Sequence, residues 1–354
     1  MSDDIDPRDT PRHPRRRNSL LGHEEAENRL LQAYRSDRLH HGWLIGGPRG
    51  IGKATLAYRF ARFLLHASAA APNRDAVSLD VAPDHPTARR IAAGSHADLF
   101  VVERRFDPRT GRLKTETGVD IARMASDFFS RSAAEGGWRV CIVDTADDLN
   151  VESANALLKS LEEPPSRSIF LLLANRPGTL LRTIRSRCIQ LQLEPLSEQH
   201  VVEAVSGVLG AEAPSPADIA LAARLSGGSP GRALELLASG GTRIFSEFRS
   251  LVSDLPRLNR RQALAFADQM QGRAGGDDFD IFCELLAGWI ADRARTEALA
   301  SKKSATAWAT AHAELNHSIR RTNALNLDRR QLVMQAFEAL RDAAGRSQNE
   351  PAAN

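Results

Sequence analysis

The feature that most constrains the fold of this chain is a glycine-rich run at residues 47–55, Gly-Pro-Arg-Gly-Ile-Gly-Lys-Ala-Thr. It follows the apolar run Trp43-Leu44-Ile45 and leads into an amphipathic stretch. A strand, a glycine-rich turn and a helix in this order are typical of a phosphate-binding loop, in which backbone N–H groups and a helix N-terminus face phosphate oxygens. The candidate nucleotide-binding residues of the run are Gly47, Gly50, Gly52, Lys53 and Thr55. The alternative is a strand-to-helix turn that binds nothing.

Lysine is rare in this chain, which gives Lys53 particular weight. Of the 47 basic residues only five are lysine, and Lys53 is the only one in the first hundred positions. Because the chain uses arginine at nearly all of its basic positions, a lysine marks a position that requires a compact ammonium group. We therefore predict that Lys53 supplies the charge for the β and γ phosphates of ATP or ADP.

The residue after Lys53 departs from the phosphate-loop pattern. That pattern places Ser or Thr there, and its hydroxyl binds Mg²⁺. Here the position is Ala54, and Thr55 stands one residue further on, turned about 100° around the helix axis. The sequence therefore predicts a degenerate loop that binds nucleotide but holds Mg²⁺ poorly, with no protein metal site.

Four short apolar runs predict buried strands, and three amphipathic stretches predict helices. The runs are continuous rather than alternating, as in parallel strands that are covered on both faces. The predicted strands are Trp43–Ile45, Leu99–Val102, Val140–Val143 and Ile169–Leu173, and the predicted helices are Thr55–His66, Val119–Ala134 and Glu152–Glu162. Their alternation indicates an α/β domain with a doubly wound parallel sheet. Residues 68–95 are interpreted as an insertion or long loop.

The strand Val140–Val143 ends at Asp144, where a carboxylate that orients a metal belongs. ATPases of this architecture follow it with a glutamate that activates water, whereas here Thr145 follows. Asp147 is a substitute base only if the chain makes an unusual turn. Together, Ala54 and Thr145 predict little or no ATP hydrolysis.

Further motifs resemble those of bacterial clamp loaders, which belong to the AAA+ superfamily. The run at residues 155–165, Asn-Ala-Leu-Leu-Lys-Ser-Leu-Glu-Glu-Pro-Pro, is similar to a signature of that family. About twenty residues later, Ser186-Arg187-Cys188 matches its Ser-Arg-Cys motif. Residues 226–234, Ser-Gly-Gly-Ser-Pro-Gly-Arg-Ala-Leu, look like its lid motif. The resemblance covers roughly residues 20–240, and the helical remainder is similar to the family's collar domain.

The resemblance implies roles for three polar residues. Arg187 corresponds to the arginine finger, which enters the nucleotide site of a neighbouring subunit and touches the γ phosphate; it is the candidate catalytic residue. Asn175 falls where the first sensor residue stands, and Arg232 where the second sensor arginine stands. The alternatives are an ordinary surface arginine at Arg187, and a helix-capping or surface role at Arg232.

Within the family, the departures at Ala54 and Thr145 favour the stator over the ATP-hydrolysing motor. The resemblance implies a hetero-pentameric ring with gamma or tau motor subunits and a delta subunit. That ring would load a sliding clamp onto primed DNA during replication by DNA polymerase III, and this chain would have no polymerase activity of its own. The alternatives are an active AAA+ motor, a scaffold in which Arg187 is idle, and a small-molecule P-loop kinase.

The predicted organisation is a AAA+ P-loop parallel-sheet domain, a small helical lid and an all-α collar. The predicted segments are a disordered tail at 1–17, the nucleotide-binding-like domain at 18–196, the lid at 197–241, the collar at 242–345 and a disordered tail at 346–354. An alternative interpretation of the first segment is a basic arm that touches nucleic acid through Arg15, Arg16 and Arg17.

Composition excludes several classes of protein. The chain of 354 residues is 42% hydrophobic and 26% charged, as in globular proteins. Its longest apolar runs fall far short of the roughly 20 residues of a membrane span, so we expect a cytoplasmic protein. Three cysteines predict neither a disulfide framework nor zinc, although the family often carries a four-cysteine zinc module where residues 68–95 stand. A net charge of +3 does not by itself indicate DNA binding, so we expect DNA contact through the assembled ring.

Overall fold

A computed structural model describes residue 10 and residues 12–67, 74–103, 106–107, 112–113, 119–271, 276–300 and 304–348. The chain forms two compact units. The first comprises the described residues up to Ala213 together with Ser226–Arg232, and the second comprises Pro214–Leu225 with the described residues from Ala233 onward.

A five-stranded parallel sheet is the centre of the first unit. The seven strands described in this unit are β1 (Gly42–Gly46), β2 (Leu99–Val102), β3 (Phe106–Asp107), β4 (Arg112–Leu113), β5 (Arg139–Val143), β6 (Ser168–Ala174) and β7 (Ile189–Gln192). The order in the sheet is β2-β5-β6-β1-β7, and β3 and β4 pair separately as an antiparallel hairpin. Strand β1 lies between β6 and β7, so Trp43 is paired with Leu171 on one side and Ile189 on the other. The predicted parallel α/β sheet is confirmed.

Helices cover both faces of the sheet. They are α1 (Glu24–Arg35), α2 (Lys53–His66), α3 (Pro86–Ala93), α4 (Val119–Ser130), α5 (Val151–Glu162), α6 (Arg182–Arg185) and α7 (Glu198–Leu209). Successive residues of β1 point to opposite faces. Trp43 packs in a core with Leu30 of α1 and Phe60 of α2, whereas Leu44 packs in a second core with Leu157 of α5. This two-sided burial explains why the strands are continuously apolar.

Two expectations from the sequence need correction. Helix α4 ends at Ser130 rather than Ala134, because the Asp98 carboxylate accepts hydrogen bonds from the N–H groups of Ala134 and Glu135, at 2.7 and 3.1 Å. Of the two interpretations of residues 68–95, an insertion or a long loop, the loop does not hold for Pro86–Ala93, which form α3. Strand β7 was not predicted at all, because it is a four-residue edge strand with only Leu191 fully buried.

The N-terminal segment is ordered where the structure describes it. Residues Pro14–Arg16 form a 3-10 turn. Arg62 of α2 is only 3% exposed and donates hydrogen bonds to the carbonyl of Arg17 at 2.5 Å and to Oδ1 of Asn18 at 2.9 Å. The expectation of a disordered tail therefore does not hold for residues 12–17, while residues 1–9, 11 and 349–354 lie outside the described part of the chain.

The second unit is helical throughout its described residues. Its helices, with α9 beginning in the first unit, are α8 (Pro216–Leu225), α9 (Pro230–Ala238), α10 (Gly241–Leu251), α11 (Arg260–Gln269), α12 (Gly276–Leu299), α13 (Ser304–Leu325) and α14 (Arg329–Gln348). The ring of Phe248 lies 5.7 Å from Phe282 and 5.3 Å from Trp289, and Trp308 is 1% exposed. The predicted all-helical C-terminal region is confirmed, and its division at residues 197 and 242 stays a prediction. No described helix has the length and apolarity to cross a membrane.

Candidate functional site

The glycine-rich loop joins the carboxyl end of β1 to the first turn of α2. Gly52 is the N-cap of α2 with φ of 118°, a conformation that favours glycine because it has no Cβ. The loop is anchored to the sheet through a hydrogen bond of 3.2 Å from the N–H of Gly47 to the carbonyl of Ala174 on β6. The sequence therefore forms the strand, turn and helix that a phosphate-binding loop requires.

Lys53 is buried, and its ammonium donates three hydrogen bonds within the protein. Nζ lies 2.7 Å from the carbonyl oxygen of Gly47, 2.8 Å from that of Pro48 and 2.8 Å from Oδ1 of Asn175. An ammonium has three donors, so all of them are in use. The two residues that the sequence connected only by analogy, Lys53 and Asn175, are thus in direct contact at the end of β6.

The environment of Lys53 lowers its pKa to about 8. Burial is the larger cause, because it disfavours the charged form, while the negative charges of Asp144 and Asp147 act in the opposite direction. With a pKa of about 8, the ammonium keeps its proton near neutral pH.

The position after Lys53 offers no oxygen to a metal. Ala54 is the second residue of α2, and its methyl group packs against the apolar core of the first unit. Thr55 is the third residue of the helix and is half-buried. The donor set around the loop therefore does not fit Mg²⁺ held in the manner of a complete phosphate-binding loop.

Asp147 has a structural task that the sequence did not reveal. Thr145 adopts a left-handed conformation with φ of 51°, and residues Ala146–Asp148 form a 3-10 turn. The chain thus makes an unusual turn here, which is the condition for Asp147 to act as a substitute base. The carboxylate of Asp147 accepts hydrogen bonds from the N–H of Asn175 at 3.1 Å and from that of Arg176 at 3.2 Å. Asp147 therefore fixes the backbone at Asn175, and these bonds occupy its oxygens.

The segment Ser229–Arg232 packs directly on the glycine-rich loop. The hydroxyl of Ser229 donates to the carbonyl of Arg49 at 2.8 Å, and the N–H of Gly231 donates to the carbonyl of Gly50 at 2.9 Å. A Cβ on Gly231 would lie only 2.7 Å from the Cα of Gly50. The same Ser229 hydroxyl accepts the N–H of Arg232 at 3.2 Å, which fixes the backbone of the candidate sensor beside the loop.

Arg187 lies beyond α6 and makes two contacts. Its Nη2 is 2.7 Å from Oε1 of Glu162, the last residue of α5, and its Nη1 donates to the carbonyl of Thr183 at 3.0 Å. The side chain is 36% exposed, so the guanidinium is held at the surface rather than in the core. Neighbouring Cys188 is different, because burial raises the pKa of its thiol to about 12 and leaves it unsuited to nucleophilic chemistry.

Sequence reasoning identified the loop, Asn175 and Arg187, but it missed the residues that hold them. Glu162 was seen only as part of a signature, and Ser229 only as part of a lid motif. The signal that could have pointed to Glu162 and Ser229 is that each is a polar residue inside a recognised motif. Within the described residues, no group of three His, Cys, Asp or Glu side chains is arranged to hold a metal ion.

Comparisons with known proteins give a consistent family. The family model described as DNA polymerase III, delta subunit, matches residues 22–197. DNA polymerase III subunit delta' of Pseudomonas aeruginosa is 32% identical over 250 residues, which cover 70% of this chain and 71% of that protein. The subunit of the same name in Escherichia coli is 35% identical over 215 residues, or 59% of this chain and 58% of that protein. Subunit tau of E. coli is 30% identical and matches 71% of this chain but 37% of its own length.

Two solved structures that match this chain have lower sequence identity to it than these relatives do. A DNA polymerase III gamma subunit-related protein from Thermotoga maritima gives a TM-score of 0.41 at 16% identity, covering 89% of this chain and 99% of that one. The RuvB Holliday junction branch migration motor of the same organism gives 0.39 at 20% identity, covering 75% and 76%. Overlaps of this size carry no argument about function.

Proposed function

The chain belongs to the DNA polymerase III subunit delta' family, and from that membership we propose that it is the stator subunit of the bacterial clamp loader. In this role it helps load the sliding clamp onto primed DNA during replication. Its partners are gamma or tau motor subunits and a delta subunit in a hetero-pentameric ring, and DNA is contacted mainly through the assembled ring. The observation that carries the stator role is the engagement of Lys53 with protein oxygens beside Ala54.

The glycine-rich loop is a nucleotide site of reduced capability. ATP or ADP binds there by drawing the ammonium of Lys53 away from the carbonyls of Gly47 and Pro48 toward phosphate oxygens. The glycine-rich turn and the N-terminus of α2 support this fit. Ala54 supplies no ligand to Mg²⁺, and Thr145 stands where a water-activating glutamate is expected. The chain therefore hydrolyses little or no ATP alone. Asn175 and Arg232 sense the state of this site.

Arg187 serves as an arginine finger for a neighbouring subunit. A guanidinium stays charged at all physiological pH values and bonds phosphate oxygens in a fork geometry, which suits a γ phosphate in the transition state. Its half-exposed position beyond α6 supports this role, since the side chain reaches a partner by leaving Glu162. In GTPases, an arginine supplied by a partner protein raises the rate of GTP hydrolysis by about 10³–10⁵-fold.

The test is ATP turnover by the complex reconstituted with its gamma or tau, delta and clamp partners and primed DNA. In Arg187→Ala, assembly should be unchanged while the site that receives the finger falls to background turnover. The matched control is Arg182→Ala, which removes an exposed arginine from α6 and should leave turnover unchanged. Unchanged turnover in Arg187→Ala would mean that the chain is a scaffold with an idle arginine.

The motor alternative is tested on the isolated chain. The stator assignment expects no Mg²⁺-dependent ATP hydrolysis above background. Sustained hydrolysis that disappears in Lys53→Ala would identify the chain as an active motor instead, and the finger assignment would then need its own test in the ring.

A further inference from the structure

A polar cavity lies at the opposite end of α2 from the glycine-rich loop. Its volume is about 280 Å³, and it is lined by the C-terminal residues of α2, the first turns of α3 and the segment around Glu135. The titratable groups on its wall are His66, His85, Arg90, His96, Asp98 and Glu135. His66 stands thirteen positions after Lys53 on α2, which at a rise of 1.5 Å per residue is about 20 Å. The cavity is therefore separate from the nucleotide site.

His96 presents a buried donor without a partner. Its Nδ1 accepts the N–H of Asp98 at 3.2 Å, so a neutral imidazole must carry its proton on Nε2. Burial lowers the pKa of His96, which favours that neutral form. The Nε2 atom is buried with no hydrogen bond, and the nearest charged oxygen, Oε2 of Glu135, is 3.9 Å away. Leaving a buried donor unpaired is destabilising, so the geometry favours an acceptor in the cavity.

Arg90 presents a second such donor. Its Nη1 is ion-paired with Oε1 of Glu135, which holds the guanidinium against the cavity wall. The Nε of Arg90 is buried and has no hydrogen-bond partner. Two unpaired N–H donors, one of them on a charged group, thus occur on the wall of one cavity.

The remaining groups leave little acceptor capacity on the wall. Both oxygens of Asp98 accept backbone N–H groups, from Ala134 and Glu135. Nδ1 of His85 accepts the N–H of Thr87, so its own proton also stands on Nε2. His66 contacts the His85 ring edge to face, with centroids 4.2 Å apart. Oε1 of Glu135 is paired with Arg90, and Oε2 lies 3.9 Å from Nε2 of His96, too far for a hydrogen bond. The donors of His96 and Arg90 are therefore left for an acceptor such as an oxyanion.

We propose that this cavity is a binding site for a small oxyanion, a phosphate or carboxylate group whose oxygens accept hydrogen bonds from Nε2 of His96 and Nε of Arg90. The site goes beyond the proposed clamp-loader role and does not depend on it. A cation is the less suitable occupant, because Nε2 of neutral His96 and Nε of Arg90 each present a hydrogen atom rather than a lone pair.

The test is a titration of the full ¹⁵N-labelled chain with inorganic phosphate, followed through the histidine side-chain resonances. The chain has ten histidines, and His96→Gln assigns the one of interest. The Nε2 resonance of His96 should shift and saturate with a Kd in the millimolar range or tighter. Phosphate at the glycine-rich loop acts about 20 Å away, so His96 reports this cavity specifically. A parallel titration with acetate distinguishes the two kinds of ligand. Saturation with acetate would identify a site for carboxylate groups, and saturation with phosphate alone would identify a site for phosphate groups.

Two arginine variants complete the test. Arg90→Gln should weaken phosphate binding at least about tenfold, because it removes a charge-assisted hydrogen bond. Arg89→Gln, which changes the adjacent exposed arginine of α3, should leave the affinity unchanged. No saturation up to about 10 mM of either anion, or equal affinity in Arg90→Gln, would show that the cavity holds solvent only. If Arg90→Gln fails to fold, the His96 titration of the unaltered chain decides alone.

Discussion

The guanidinium of Arg187 forms an ion pair of 2.7 Å with Glu162, which joins the second residue after α6 to the last residue of α5. Both side chains are partly exposed, 36% and 48% respectively. An exposed pair of this kind is worth roughly 0.2–1 kcal/mol. The arginine is therefore held in place in the free subunit by a contact weak enough to be exchanged for a phosphate.

We predict that Glu162→Gln makes Arg187 more available to a neighbouring subunit. Removing the competing carboxylate should lower the ATP concentration for half-maximal turnover of the reconstituted complex by up to about fivefold, the equivalent of a lost surface pair. The measurement is an ATP titration of turnover. Glu163→Gln, the exposed neighbouring glutamate, is the control and should change nothing. A loss of turnover as large as that of Arg187→Ala would instead mean that Glu162 is needed to orient the finger.

The pKa of Lys53 predicts how nucleotide binding depends on pH. The ammonium form binds phosphate, and in the free protein its pKa is about 8 instead of 10.5. Nucleotide affinity should therefore fall as pH rises above about 8, by at most tenfold per pH unit, until the higher pKa of the bound state is reached. The measurement is the Kd of ATP between pH 7 and 9.5.

The same pKa can be observed directly, because the chain has only five lysines. One lysine Cε resonance should titrate near pH 8 and be missing from the spectrum of Lys53→Ala. The sign for stability follows: between about 8 and 10.5 the unfolded chain binds more protons at this residue, so its contribution makes the fold more stable as pH rises through that window. Titration of all five above pH 10 would refute the assignment.

Ala54→Thr should restore part of the metal site. A threonine hydroxyl directly after Lys53 can bind Mg²⁺, so the affinity for ATP should rise about tenfold in the presence of Mg²⁺. Turnover by the isolated chain should stay at background, since Thr145 is unchanged. The measurement is calorimetric titration of ATP with Mg²⁺ or with a chelator. A gain that persists in the chelator would show that packing, not metal binding, is responsible.

The contact between Gly231 and Gly50 predicts opposite effects for two glycine substitutions. In Gly231→Ala the new Cβ would meet the Cα of Gly50 at 2.7 Å, so the segment must shift, at a cost of about 1–3 kcal/mol in the free energy of unfolding. Gly207 lies on α7, and a Cβ added there would meet no atom within 4 Å, so Gly207→Ala should stabilise by about 0.5–1 kcal/mol. Thermal unfolding of both variants measures this. Equal changes would show that the close approach has no energetic consequence.

The strands of the sheet were predictable where they form continuous apolar runs, which includes β2 although three of its four residues are only half-buried. Parallel strands covered on both faces need apolar side chains at every position, and β1, β5 and β6 are recognised in the sequence for that reason. Edge strand β7 has alternate exposed glutamines, and α3 lies in a segment rich in small and polar residues, so neither carries a comparable pattern.

The candidate site was predictable only as separate motifs. The phosphate loop is contiguous, so its geometry follows from local glycine conformations and the start of a helix. The contacts of Lys53 with Asn175, and of Arg187 with Glu162, join residues that are far apart in the chain. No local pattern encodes those distances, since they depend on where β6, α5 and α6 are packed.

The sequence by itself determined the strands β1, β2, β5 and β6, the loop that follows β1, and the absence of a hydroxyl at Ala54, because these depend on neighbouring residues and on residue type. Only the tertiary structure decided that the ammonium of Lys53 is engaged by protein oxygens, that Asp147 holds the backbone at Asn175, and that unpaired donors of His96 and Arg90 line one cavity. Hydrogen bonding and burial are properties of surroundings, and those surroundings are assembled from distant segments when the chain folds.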